Sequence, residues 1–115
     1  MTAIAMGDSL VLRPHGDLRE GALSDDLERT LFGLLAQGRR VIICLAESGQ
    51  LAARALGILA RAQAIAAGSG GGVAVCCSRP QHRFALAVAR FPAALGPYES
   101  EACAAAALGR VASRV

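Results

Sequence analysis

Apolar positions along this chain fall into two kinds of run. Val41-Ile42-Ile43-Cys44-Leu45 is continuous, of strand length and rich in β-branched residues. Such a run fits a central strand covered on both faces. Beyond it, Leu51, Ala55, Ile58, Leu59, Ala62 and Ala66 recur at helical spacing. Between the two lies Ala46–Gln50, with the breaker pair Ser48-Gly49. The stretch Arg39–Ala67 therefore reads as strand, loop and helix, and the chain is organised around it. Loops at the carboxyl end of a central strand are where α/β proteins place function.

The same patterns assign the rest of the chain. Thr2–Met6 and Leu10–Arg13 are two short apolar runs joined by Gly7-Asp8-Ser9, which predicts a hairpin. Gly16-Asp17-Leu18 follows, and the chain reads as irregular to Leu23. Ser24 is an expected N-cap for a helix Asp25–Ala36, striped by Leu27, Leu31, Leu34 and Leu35 and ended by Gln37-Gly38. Gly68–Gly72 closes the central helix and opens a second buried strand, Val73–Cys77. A phosphate loop would stand in the reverse order, after a strand and before a helix. Pro80 is placed to start a helix Gln81–Arg90, which Pro92 stops. Leu95–Tyr98 reads as a weak edge strand, and Ser100 as the cap of an alanine-rich helix Glu101–Leu108, with Gly109–Val115 expected to fray. The predicted order is β-β-α-β-α-β-α-β-α. That is a single α/β domain over residues 1–115, with a mostly parallel central sheet, an N-terminal hairpin and about four helices.

Composition narrows the chemistry. All 12 basic residues are Arg, the net charge is +3, aromatics are 3% and Trp is absent. Nucleic-acid binding calls for clustered cations with stacking aromatics, and neither pattern is present. Leu51–Ala67, the longest apolar window, is broken by Arg54 and Arg61 and is short for a membrane span. Four cysteines without a Cys-x-x-Cys pair or an evident signal peptide point to reduced thiols in a cytoplasmic setting, and no metal or cofactor is expected. His15 and His82 stand apart from metal-ligand spacings; a Cys77/His82 pair is the remaining basis for an enzyme or ligand-binding reading. Ser48 reads as a loop hydroxyl beside Gly49, with a relocated phosphosite as the alternative.

At this point the chain resembles the STAS domain, the family of bacterial anti-sigma factor antagonists and of the cytoplasmic tails of sulfate transporters. Three features carry the resemblance. Gly16-Asp17-Leu18 is similar to the family's Gly-Glu-Leu turn before its first helix. Val41–Leu59 aligns without gaps to an apolar strand, a polar loop and a helix opening on Asp-Ser-Ser-Gly-Leu-Gly. Tyr98-Glu99-Ser100 precedes the last helix where the family often has Tyr-Asp-Ser. Leu56 and Gly57 are kept, but Ala52-Ala53-Arg54-Ala55 replaces the first four residues, and Cys44 stands where the family commonly has Asp. The resemblance puts the phosphoacceptor at Ala53, which has no hydroxyl.

What the resemblance implies is a non-catalytic protein-interaction domain without its switch. Its partner is expected to be an anti-sigma factor with serine kinase activity. A place as a cytoplasmic accessory subunit of an ABC-type lipid transporter is the alternative, and a homodimer is compatible with either. The expected contact surface is Glu47, Ser48, Gln50, Ala53, Arg54, Gly57 and Arg61, with Arg54 and Arg61 two turns apart and read as cations for an acidic partner.

Overall fold

A computed structural model describes residues 1–76, 79–92 and 95–112, with side chains described up to residue 109. The elements run β1 (Thr2–Met6), β2 (Ser9–Arg13), β3 (Gly16–Leu18), α1 (Ala22–Ala36), β4 (Arg40–Cys44) and β5 (Ser48–Leu51). They continue as α2 (Ala53–Ser69), β6 (Gly72–Cys76), α3 (Pro80–Val88) and α4 (Glu101–Ala112). The main sheet has the order β1-β2-β4-β6. β1 and β2 form the antiparallel hairpin, and β2, β4 and β6 are mutually parallel. This is the mixed, mostly parallel α/β sheet that the alternation of strands and helices predicts.

The period of two explains how β4 and β6 are covered on both faces. Val41, Ile43 and Leu45 point one way and join Leu12, Val73 and Val75 in a core with Leu27, Leu31 and Leu35 of α1 and Ile58, Leu59 and Ala62 of α2. Ile42 and Cys44 point the other way and join Val11, Ala74 and Cys76 against Ala104 and Leu108 of α4. Ile42 and Ile43 are both fully buried. Each such isoleucine contributes about 1.5–3 kcal/mol by burial.

Four sequence expectations are corrected. Gly16–Leu18 and Ser48–Leu51, read as irregular chain and loop, pair in parallel as a separate two-stranded sheet, β3-β5. Neither carries an alternating apolar pattern. Long-range hydrogen bonds make them strands: Gly16 N to Glu47 O (3.0 Å), Ala52 N to Leu18 O (2.9 Å), and Gln50 N to Asp17 Oδ1 (2.7 Å). α2 consequently begins at Ala53, after β5. α1 begins at Ala22 after Gly21 (φ 147°), so Ser24 lies inside the helix; it is buried and donates through Oγ to Arg19 O (2.6 Å). The Leu95–Tyr98 strand shrinks to a single bridge between Tyr98 and Cys76. Pro97 has no N–H to extend it.

Smaller differences lie at helix ends. Ser100 caps α4 as expected, accepting from Cys103 N at 3.1 Å, but the helix continues to Ala112 rather than ending at Leu108. α3 spans Pro80–Val88. The Cys77 end of the predicted strand lies outside the described residues. Among the described residues, no helix is long and apolar enough to cross a membrane.

Candidate functional site

The sequence-predicted contact residues all lie between the end of β4 and the middle of α2, but they do not all face outward. Glu47, Gln50, Ala53, Gly57 and Arg61 are exposed. Ser48 is buried at 1% exposure and donates to Pro14 O at 3.2 Å. A kinase cannot reach that hydroxyl without opening β5, so the relocated phosphosite is not supported by the fold. A Cβ at Gly49, beside it, would push aside the Asp17 carboxylate that accepts from Gln50 N.

Arg54 is also corrected. Its side chain is only 21% exposed, and its guanidinium lies against three carboxylates of the α1 region: Glu20 (3.2 Å), Asp25 (2.9 Å) and Glu28. Hydrogen bonding to Glu28 and Asp25 raises its pKa further above the ordinary arginine value. Arg61 reaches the same Glu28 at 3.4 Å and lies 5.5 Å over the Phe32 ring. The acidic groups facing both arginines are thus in this chain, and the pair fastens α2 to α1. Sequence spacing placed them correctly on one helix face, but it could not reveal that α1 presents carboxylates to that face.

What α2 leaves open is a surface of small residues. Ala53, Gly57 and Ala60 are exposed, and a Cβ built at Gly57 meets nothing within 4 Å. Beside it runs a groove of about 380 Å³ lined by Leu56, Gly57, Ala60 and Gln63 of α2 and by residues Ala89–Pro92. α3, which leads into that groove, exposes Phe84 at 72% and Val88 at 66%. The helix start has an extended N-cap residue, Ala52, with no side-chain hydrogen bond and no acidic residue in its first turn.

The Cys77/His82 alternative loses its base. His82 is fully buried. Its Nδ1 accepts from Arg79 N (3.1 Å), which leaves Nε2–H to donate to Gly49 O (2.5 Å). Both ring nitrogens are engaged: Nδ1 caps the first turn of α3, and Nε2 ties α3 to β5. Cys77 lies outside the described residues.

A second polar cluster escaped sequence reading. Arg13 forks onto Glu101 through Nε (2.7 Å) and Nη2 (2.6 Å), joining the end of β2 to the first turn of α4. Arg13 holds the Glu101 carboxyl below the usual carboxylate range, with a further hydrogen bond from Cys44. Cys44 and Cys76, register partners on adjacent strands, point to this same face. The signal was present in the parallel strings Arg-Val-Ile-Ile-Cys and Gly-Val-Ala-Val-Cys, each ending a strand on Cys. The pocket beside them, about 410 Å³, is lined in part by Arg13, His15, Cys44, Glu47 and Glu101.

No family model matches the chain, and no curated protein matches it by sequence. Solved structures do. The protein TM1081, determined by NMR, superposes with a TM-score of 0.78 at 18% identity, covering 94% of this chain and 87% of that one. The anti-sigma factor antagonist SpoIIAA in its unphosphorylated form superposes with a TM-score of 0.67 at 15% identity, covering 96% of each chain. At such identities the likeness is one of fold. The hairpin, the parallel strands and the helices on both faces are together the STAS fold of SpoIIAA, here carried by a nearly unrelated sequence.

Proposed function

We propose that this chain is a non-catalytic protein-interaction module of the anti-sigma-antagonist type, which docks its partner through the exposed face of α2. The observation that carries the reading is the open surface at Ala53, Gly57 and Ala60, flanked by the groove that Leu56, Gln63 and residues Ala89–Pro92 line. Small residues let a partner backbone come close, while Leu56 and Phe91 offer apolar surface to cover. Glu47 and Gln50 extend the same surface on the β4–β5 side. Buried Ser48 supports the fold beneath it, and Arg54 and Arg61 brace the helix.

At Ala53 there is no hydroxyl to receive a phosphate. Binding is therefore constitutive, without the charge change by which phosphorylation breaks a contact at a helix start. An anti-sigma factor with serine kinase activity fits this face. An accessory role in a transporter would use the same face and equally needs no switch.

The test is a calorimetric titration of the candidate partner into wild type and Gly57→Arg. Because a side chain at Gly57 meets open space, the variant keeps its circular dichroism and melts no lower than wild type. Its affinity falls at least about 10-fold if the face is the interface, a loss of about 1.4 kcal/mol. Incubation with the kinase and ATP leaves the intact mass unchanged. Equal affinity of variant and wild type, or a phosphorylated product, refutes the reading.

A further inference from the structure

The thiols of Cys44 and Cys76 and a carboxylate oxygen of Glu101 all lie within 4.8 Å of one another. They come from three elements, β4, β6 and the first turn of α4. We propose that these three groups form a binding site for a thiophilic divalent cation, Zn²⁺ foremost.

The position is the expected one. Cys44 and Cys76 are the last residues of two adjacent parallel strands, and the carboxyl ends of such strands are where α/β sheets hold ligands. Two thiolates on one tetrahedral zinc, with bonds of about 2.3 Å, sit about 3.8 Å apart. Donors already within 4.8 Å need to close by only about 1 Å. Entry is provided by the pocket that Cys44 and Glu101 line, and water from that pocket completes the coordination. Glu101 is free to bind the ion while holding Arg13: a carboxylate offers about four lone pairs, and the guanidinium fork takes about two.

Charge balance explains why an arginine belongs here. As the ion binds, each thiol releases its proton to solvent and forms a sulfur–metal bond, with no change of oxidation state. Two thiolates and one carboxylate carry three negative charges. A divalent ion and Arg13 carry three positive ones. The loaded cluster is neutral, as a site beneath α4 requires. Arg13 acts from outside the ligand shell, orienting Glu101.

Zinc is titrated into the reduced, full-length chain against a chromophoric chelator, and cobalt is used as a spectroscopic substitute. One equivalent is taken up, and cobalt gives a thiolate charge-transfer band. Cys44→Ser and Cys76→Ser each weaken binding at least about 100-fold, and Arg13→Gln about 10-fold. Cys103→Ser, at an exposed position, binds as wild type. Should the buried variants fail to fold, alkylation of the wild type in urea high enough to open the core decides: Cys44 and Cys76, buried in the native fold, become reactive there without zinc, and zinc slows their modification while leaving Cys103 reactive. Failure of the wild type to take up zinc, or protection that spares Cys44 and Cys76, overturns the proposal. Neither result bears on partner docking, which uses α2.

Discussion

Replacing His82 by alanine takes away a ring that is fully buried and has both nitrogens engaged. Two backbone groups lose their partners at once, the N–H of Arg79 and the C=O of Gly49. A buried polar group left unsatisfied costs about 1–3 kcal/mol. The vacated ring also leaves a cavity between α3 and β5, which adds to the cost unless the site collapses. Water entering from the α3 end offsets some of this, so the net loss comes to about 3–5 kcal/mol. A 115-residue chain has about 6–17 kcal/mol of stability in all, so the loss is a large share. With a urea slope of about 2 kcal/mol/M, the midpoint falls by about 2 M. Urea titration followed by circular dichroism measures it directly. His82→Gln, whose carboxamide can both accept and donate, recovers part of the loss. A midpoint shift under about 0.5 M for His82→Ala would refute the structural role and return His82 to the list of available bases.

Two further perturbations test the frame around the α2 face. Arg54→Ala lowers the unfolding midpoint more than Arg61→Ala does, because Arg54 meets three carboxylates and Arg61 one; the gap between them narrows in about 1 M NaCl, where exposed charge pairs are screened. Glycine-to-alanine substitutions at two sites have opposite signs. Gly57→Ala stabilises α2 by about 0.5–1 kcal/mol, because its Cβ enters open space, whereas Gly71→Ala destabilises by about 1–3 kcal/mol, because its Cβ would sit 2.6 Å from Arg39 O; thermal melts of both variants read the contrast.

The parts of the fold legible in the sequence are those with a strong period. Val41–Leu45 and the stripe Ala55, Ile58, Leu59, Ala62 and Ala66 announce the central strand and helix because local pattern and tertiary burial agree there. The β3–β5 pair is illegible for the opposite reason. Its residues, Gly16-Asp17-Leu18 and Ser48-Gly49-Gln50-Leu51, have no strand pattern; long-range backbone bonds such as Gly16 N to Glu47 O and Ala52 N to Leu18 O pair them, and the Asp17 carboxylate adds a bond from Gln50 N. The start of α1 was misplaced because Ser24 has the chemistry of a cap but uses its hydroxyl on Arg19 O from inside the helix. At the candidate site, spacing put Arg54 and Arg61 on one face of α2, where both reach Glu28. It could not assign their partners, since Glu20, Asp25 and Glu28 lie about 30 residues earlier and only packing of α1 on α2 brings them near.

The start of α2 is where the sequence departs furthest from the resemblance, and its energetics can be separated by one substitution. Ala52 is the N-cap residue, with φ −88° and ψ 174°, the extended geometry from which a cap side chain reaches the first-turn N–H groups. Alanine has no oxygen to offer them. Ala52→Ser supplies one without altering charge or crowding a half-buried position, and it should stabilise the chain by about 1 kcal/mol, raising Tm by about 4 °C. Ala53→Ser, one residue later and already helical, cannot cap and leaves Tm within about 1 °C of wild type. If both serines raise Tm equally, the gain comes from something other than the cap and the placement of the helix start is wrong. In Arg54→Ala, where the ties to α1 are gone, the same Ala52→Ser cap should restore part of the lost stability. Such compensation would mean that the bridge to α1 holds α2 at its origin in place of the side-chain cap that this chain lacks.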